Sequence, residues 1–496
     1  MLDALVIGSG PNGLVAANVL ARAGMSVRVL EQNTAIGGAV RSRELTLPGF
    51  VHDVGAAFFP FATSSPAMRS LDLGGVGLEW CKAEVESAHP ALDGSCASIV
   101  RNLDELDRSF AGDGPEWRKV AAWVGKERDK LLALLLAPPV PLGAAWQFGA
   151  MNLLRLAEIG LSSGRGWSER HFKSEAARRV VPGLALHTDI GPDDELGAAV
   201  GFMLAALASC DGFAVPRGGT SSITNALVRR LEQQGGTVVS GCSVDEILVR
   251  RGRAYGVRTT EGDIEAGVVV ADVAAPTLYL NMLPEADLPS SVIASMRRFH
   301  HGFGTFKVDF ALDGPVPWSH EDCARAAVVH AGESNADLAR FVREVRAGEL
   351  PEQPYLVLGQ QSLIDDSRAP PGKHTLWCYS RVPSQRPWAN ERELFADRIE
   401  ARIEGLAPGF KRRVLARHIT APPDLARTNP NLIGGDLGGG SAQIGQQLFF
   451  RPMFPYFRYR TPIAGLYLGS SYSHPGAGVH GMCGFNAAHA VLADRS

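Results

Sequence analysis

Gly8, Gly10 and Gly13 stand at GxGxxG spacing within the run Gly8-Ser9-Gly10-Pro11-Asn12-Gly13. The chemistry such spacing serves is anion binding by backbone. The first glycine permits a tight turn, the second lets main chain approach a pyrophosphate, and the third lets a helix pack on a strand. A phosphate would lie at the N-terminus of the following helix, where unpaired N–H groups and the helix dipole favour negative charge. Glu31, with Gln32 beside it, follows about 20 residues on, placed to accept hydrogen bonds from ribose hydroxyls, and no arginine follows to receive a 2′-phosphate. Gly37 and Gly38 would let backbone pass along a long cofactor, and Arg41 can neutralise pyrophosphate. Gly55-Ala56-Ala57 comes next, after His52-Asp53-Val54. An NAD site does not need this extension. It suits FAD, whose flavin ring lies far from its adenine.

The C-terminal segment strengthens that reading. Gly469-Ser470 closes an apolar run, Gly476, Gly478, Val479, His480 and Gly481 form a loop, and Met482-Cys483-Gly484 opens a last helix. The N-terminus of that helix could aim N–H groups at the flavin pyrimidine edge, where negative charge develops on reduction. Flavin N5 accepts hydride directly, so the reaction can proceed with a positioned substrate and no protein nucleophile. The catalytic candidates are His474 and His480, which flank the loop and can orient substrate or move a proton, and Lys307, which shares a strand face with Asp309. Each has a plainer reading: loop histidines bonded to backbone, and a solvated face or internal ion pair. Arg217 and Arg451 are candidates for a substrate carboxylate, with cofactor and ion-pair roles competing. A covalent flavin bond at Cys483 is less well supported than a small residue at a helix start.

These residues must be held by a few elements. Ala4 to Ile7 is a short apolar run, as in a buried parallel strand; Leu14 to Ala23 reads as a helix stopped by Gly24, and Ser26 to Leu30 as the second strand. Residues 104 to 207 have mainly helical spacing. Ser221 to Gln233 predicts a helix, and Thr237–Val239, Val244–Val249, Ala254–Thr260 and Ile264–Val270 predict strands that return the chain to the nucleotide domain at Asp272. Phe303 to Leu312 has period two, with Phe306, Val308 and Phe310 opposite Lys307 and Asp309. Strands are also expected at Tyr355–Gly359 and His374–Ser380, and a charged helix at Glu391–Leu406.

Composition excludes several other classes. The 496 residues carry 49 Lys+Arg against 52 Asp+Glu, a formal net charge of -3, so there is no overall field for nucleic acid. The seven cysteines show no CxxC pair and no cluster with ligand-spaced histidines, which predicts no metal site and reduced, mostly buried thiols. With no secretory pattern at the start, a cytoplasmic location is expected. Leu131 to Ala150 lacks charge but is interrupted by Pro138, Pro139 and Pro141, which disfavours a membrane span. The plain expectation there is a buried helix pair with a proline turn. The alternative is a substrate lid or peripheral membrane contact over residues 131–160.

The segments GSGPNGLVAANVLARAG, GGAVRS, VPRGGTSSITNAL, GGDLGGGSAQIGQ and GLYLGSSYSHPGAGVHGMCGFNAA together resemble the phytoene-dehydrogenase-like FAD oxidoreductases, carotenoid desaturases and isomerases among them. The resemblance spans essentially the whole chain. It implies an α/β fold: a discontinuous Rossmann-like FAD-binding domain (1–75, 215–290 and 455–496), a mixed-sheet substrate domain (76–103 and 291–454) and a helical subdomain or lid (104–214). It also implies a Val244 backbone contact to adenine and a flavin beside Gly478 to Met482. The expected activity is removal of hydride from a small, largely apolar organic substrate, with oxygen or a quinone as electron acceptor. The alternatives are redox-neutral isomerisation of a polyene-like substrate and a flavin-containing scaffold. A carotene-specific apolar signature is absent, so the resemblance indicates descent better than substrate.

Overall fold

The computed structural model describes residues 2–495, which build two seven-stranded sheets and a helical region around them. In the first sheet Leu2–Ile7 lies between Val27–Glu31 and Gly262–Ala271, parallel to both, and Thr237–Ser240 and Leu466–Leu468 extend the parallel part. Val244–Arg250 and Arg253–Thr259 add an antiparallel flank. The strands therefore come from the start, the middle and the end of the chain. Ala4, Leu5, Val6, Val29, Val269 and Val270 are fully buried, as expected for strands covered on both faces.

The first helix, Pro11–Arg22, begins three residues before the predicted Leu14. Gly10 caps it in an extended conformation and Pro11 takes the first helical position, where a missing N–H costs nothing. Asn18, buried in its middle, donates from Nδ2 to the Leu14 carbonyl (2.9 Å) and to Leu227 O (3.0 Å), which ties this helix to the Ser221–Gln233 helix. The last helix, Met482–Arg495, lies against the other side of the first. A Cβ added at Gly484 would run into the Asn12 carbonyl oxygen. Only a glycine permits this approach.

The second sheet runs in the order Val414–Thr420, Gly304–Leu312, His374–Val382, Leu356–Gly359, Ala326–Ala331, Val85–Pro90 and Cys96–Val100. All pairs are antiparallel except Ala326–Ala331 with Val85–Pro90. The period of Gly304–Leu312 is real, but neither face is solvated: all nine residues are buried. Phe306 packs on Trp388 and Phe395 of the Trp388–Leu406 helix, while Lys307 forms an internal ion pair with Asp309 on the opposite face.

The helices Gly114–Leu135, Leu142–Phe148, Ala150–Gly160 and Gly197–Cys210 belong to the helical region. Here the expectation of a buried helix pair fails. Leu131, Leu132, Leu136 and Phe148 are buried, but Leu142 is 76% and Trp146 88% exposed, and Met151, Leu154 and Leu161 are exposed with them. The segment after Leu135 carries Pro138, Pro139 and Pro141, which end the helix and turn the next one outward. No described helix is long and apolar enough to cross a membrane.

Replacing Gly484 with alanine forces the first and last helices apart. The expected cost is about 1–3 kcal/mol of stability, as for other over-packed cores, with loss of bound flavin. Urea unfolding read by circular dichroism checks the first outcome and flavin absorbance after gel filtration the second.

Candidate active site

The carboxyl ends of the parallel strands converge where the strand order of such sheets places ligands. Ile7, Glu31 and the Asp272 that follows Ala271 line one continuous cavity of about 940 Å³. From there the cavity passes Gly38, Ala56, Ala57 and Gly478 and runs on to the face of the second sheet, where Val328, Val357, Trp377 and Tyr379 form its wall.

Among the expected cofactor residues, Gly8, Gly10, Pro11, Asn12, Glu31, Gln32, Gly38, Gly55, Ala56, Ala57, Val244, Gly478 and Val479 line this cavity. Gly8 has φ +94°, and a Cβ there would come within 2.8 Å of Asp272 O. Gly13 lies one layer behind, where a Cβ would collide with the Gly8 carbonyl. Gly37, Gly469, Ser470, His480 and Met482 also stand outside the wall. They shape the loops that form it. The Asn12 side-chain oxygen, on the wall, is buried without a partner. These features fit a dinucleotide: a backbone cradle that a side chain would fill, and an orphaned polar atom at the helix N-terminus.

Two expected contact residues already have partners within the chain. Arg41 was expected to meet pyrophosphate, but it does not line the cavity; its Nη2 donates to the Thr428 carbonyl at 3.2 Å. Glu31 is well placed, but the chain's own donors already hold it. Oε2 accepts from Ser9 N (3.0 Å) and Ser9 Oγ (2.7 Å), and Oε1 from Asn33 N (2.9 Å) and Nδ2 (3.0 Å). About four lone-pair sites are thereby used. A ribose hydroxyl would enter by displacing a side-chain donor, and Asn33 stands on the wall to yield one.

The catalytic candidates separate in the same way. Lys307 does not line the cavity, and its partner Asp309 also faces His52 Nδ1 at 3.6 Å. Burial pushes the Asp309 carboxyl up to about 6, opposed by Lys307. His480 is enclosed, its Nδ1 accepting from Met482 N at 3.0 Å. His474 does line the cavity, and its Nε2–H donates to the Leu135 carbonyl at 3.1 Å. Burial drives both imidazoles down to about 4, so both are neutral. Cys483 is fully buried behind the loop, which leaves no approach to a ligand. Arg217 is half-exposed and paired with Glu79, whereas Arg451 lines the cavity and is spent on the carbonyls of Gly438, Gly439 and Ser471.

The structure adds groups that sequence reasoning missed. Tyr379 Oη lies 3.1 Å from His187 Nδ1; His187 Nε2 lies 2.9 Å from His330 Nε2; Ser87 Oγ lies 2.9 Å from both His330 Nδ1 and His89 Nε2. Burial holds His187 and His89 down to about 3, and His330 well below the usual histidine range. Neutral imidazoles each carry one donor and one acceptor. The row can therefore be polarised in either direction, and passing a proton along it switches between the two. Arg381, beside Tyr379 on the wall, reaches Thr305 Oγ1 (2.7 Å) and the carbonyls of Leu186 and His187, all neutral. No local motif could reveal this set, whose members come from distant parts of the chain.

Asp272 is the other addition. Its Oδ2 accepts from Gly13 N at 2.9 Å, so it caps the first helix from outside, and burial pushes its carboxyl up to about 7. Its place at the end of a predicted strand facing the glycine turn was the available signal.

A parallel sheet whose strand ends carry this glycine cradle, opening onto a second sheet, defines a dinucleotide-binding protein with further cavity space beside the cofactor site. The chain belongs to the flavin containing amine oxidoreductase family, which matches residues 12–492. Its cofactor is FAD. It is 28% identical over 551 residues to the mouse (Mus musculus) pyridine nucleotide-disulfide oxidoreductase domain-containing protein 2, covering 99% of this chain and 93% of that one. It is 26% identical to the neurosporene-forming phytoene desaturase of Cereibacter sphaeroides (99% and 94% covered) and 26% identical to the chloroplastic prolycopene isomerase of Daucus carota (99% and 80%). Among solved structures, an oxidoreductase from Methanosarcina mazei superposes with TM-score 0.67 at 17% identity, covering 99% of this chain and 100% of the other. A putrescine oxidase superposes with TM-score 0.65 at 16%, covering 100% and 98%. The fold is shared with both.

The buried Asp272 makes stability depend on pH. An acid whose folded value is raised binds its proton more tightly when folded, so stability falls as pH rises from the unfolded value near 4 through about 7. Asp272→Asn keeps an acceptor for Gly13 N–H and removes the titration. The apoprotein variant should gain melting temperature over wild type at pH 8 and little at pH 4.5. A pH-independent difference between the two would show that Asp272 is ionised throughout.

Proposed function

We propose that this flavoprotein removes hydride from a largely apolar organic molecule held against the second sheet. The observation that carries this is the largely apolar composition of the cavity: Ile159, Phe202, Met203, Val328, Val357 and Trp377 face it, with polar groups that include Tyr379, Arg381, His187 and Asp189. Bound FAD supplies the two-electron acceptor at its N5 position. The apolar walls exclude water and orient the substrate by shape. Tyr379, on the cavity wall and bonded to His187, is placed to exchange a proton with the substrate, and the His187–His330–Ser87–His89 row fixes the direction in which its hydroxyl is polarised. The electron acceptor that reoxidises the flavin is oxygen or a quinone.

The relatives named for desaturation and for isomerisation of carotenoids support both net oxidation and redox-neutral rearrangement. The row of neutral histidines favours a second reading, isomerisation, because it can deliver a proton to one atom and recover it from another. A product of unchanged mass, formed without consumption of an acceptor, selects that reading.

The apolar helix faces outside the cavity suggest where substrate enters. Leu156 and Ile159 line the cavity from the Ala150–Gly160 helix, while Met151 and Leu154 of the same helix are exposed beside Leu142 and Trp146. We read this as a surface that rests on the cytoplasmic face of a membrane and takes substrate from it.

Under anaerobic conditions, the lipid-soluble fraction of a cell extract should bleach the flavin absorbance and the water-soluble fraction should not. Bleaching by the polar fraction alone would overturn the apolar-substrate reading, and no bleaching by either would favour a scaffold. With the active fraction, Tyr379→Phe should slow bleaching by about 10²-fold or more, the usual contribution of general acid–base catalysis, with FAD content unchanged. Separately, Trp146→Glu should reduce co-flotation with phosphatidylcholine vesicles and retain flavin. Undiminished flotation would remove the membrane-surface proposal.

A further inference from the structure

The expectation that no cysteine meets a ligand-spaced histidine is overturned at the edge of the second sheet. The sulfurs of Cys96 and Cys323 and a ring nitrogen of His320 all lie within 4.8 Å of one another. Cys96 opens the edge strand Cys96–Val100, His320 caps the short helix Glu321–Arg325, and Cys323 lies within that helix, three residues after His320. Both thiols are free and buried, while His320 is partly exposed. We propose that Cys96, His320 and Cys323 bind a zinc ion whose fourth position is open to water through the His320 side.

The donor chemistry argues for zinc. Two thiolates and an imidazole are soft and borderline ligands, suited to zinc rather than to magnesium or calcium, which take oxygen. Zn–S of about 2.3 Å and Zn–N of about 2.0–2.1 Å place tetrahedral donors about 3.4–3.8 Å apart. The three side chains therefore close on the ion by moving about an ångström. Both thiols release a proton to solvent as the ion binds, so two thiolate charges balance the divalent cation. The imidazole changes partner at the same time. Its Nδ1 now accepts a long 3.3 Å contact from Asp322 N. Once the ring is a neutral ligand, Nδ1 either holds the metal or carries the ring proton, and this contact is given up either way.

The backbone around the cluster is already fixed. Gln360 Nε2 donates to the carbonyls of Cys323 and Ala326, both at 2.8 Å. Cys96 pairs in register with Pro90, next to the turn of the Val85–Val100 hairpin. The ion would pin this hairpin to the segment entering Ala326–Ala331, the strand that pairs in parallel with Val85–Pro90. Those two strands carry His89 and His330. The ion thus acts as a staple on the side of the sheet that holds the histidine row, and on a strand that pairs on one edge alone among the described residues.

The test uses flavin-loaded protein, so that bound FAD reports a folded chain. Inductively coupled plasma mass spectrometry should find zinc stoichiometric with the chain, either as isolated or after dialysis against micromolar zinc. His320→Ala and Cys323→Ser should each lower it to background while FAD remains bound. Cobalt in place of zinc should give thiolate-type ligand-field bands to the red of the flavin envelope, and His320→Ala should abolish them. Treatment with a chelator should lower the melting temperature of wild type and leave His320→Ala unmoved. Failure to take up zinc, zinc content unchanged in both variants, or an intact mass two hydrogens short from a Cys96–Cys323 disulfide would each overturn the proposal.

Discussion

The close approach of Gly484 to the Asn12 carbonyl is the constraint on which the cofactor site depends. It lets the last helix of the chain lie directly on the turn that opens the first. Leu466–Leu468 beside Gly262–Ala271 then brings the C-terminal loop to the same strand ends as the glycine turn. The two ends of the chain thus form one wall. Without that contact the segment through Gly478 would have no fixed relation to Gly8, and the cavity would lose its continuity from one end to the other. The remaining elements of the first sheet serve this junction: Asn18 fixes the first helix to Ser221–Gln233, and Asp272 caps its N-terminus.

The second sheet answers to a different demand, which is to keep polar groups satisfied inside an apolar enclosure. An isolated buried charge is costly unless it is paired. Lys307 is met by Asp309, and Arg368 by Asp53 and Asp365. The histidines solve the problem differently, by staying neutral and bonding to one another. Arg381 is the departure. It lies on the cavity wall with its guanidinium bonded to two carbonyls and a hydroxyl, and no carboxylate pairs with it.

The cofactor half was legible in the sequence because its determinants are local and strict. GxGxxG, the following acid and the C-terminal glycine loop each occupy a short window, and backbone geometry demands their residue types. Pro11 shifted the helix start because a proline in the first turn reads as a breaker when only apolar periodicity is followed. Val85–Pro90, Cys96–Val100 and Ala326–Ala331 went unread because VESAHP, CASIV and AAVVHA are short runs rich in small and polar residues, with no sustained alternation. The Lys307–Asp309 alternation was visible, but not whether the polar face met water; the His52 side chain on that face decided it. The row from Tyr379 to His89 and the cluster of Cys96 with Cys323 share one cause of invisibility. Each brings together residues far apart in the chain, and the same long-range packing that hides such sets from sequence is what encloses them. Leu142 and Trp146 show the converse. Their apolar character suggested burial, yet the prolines before them set the helix outside the core, so the turn, and not hydrophobicity, determined the surface.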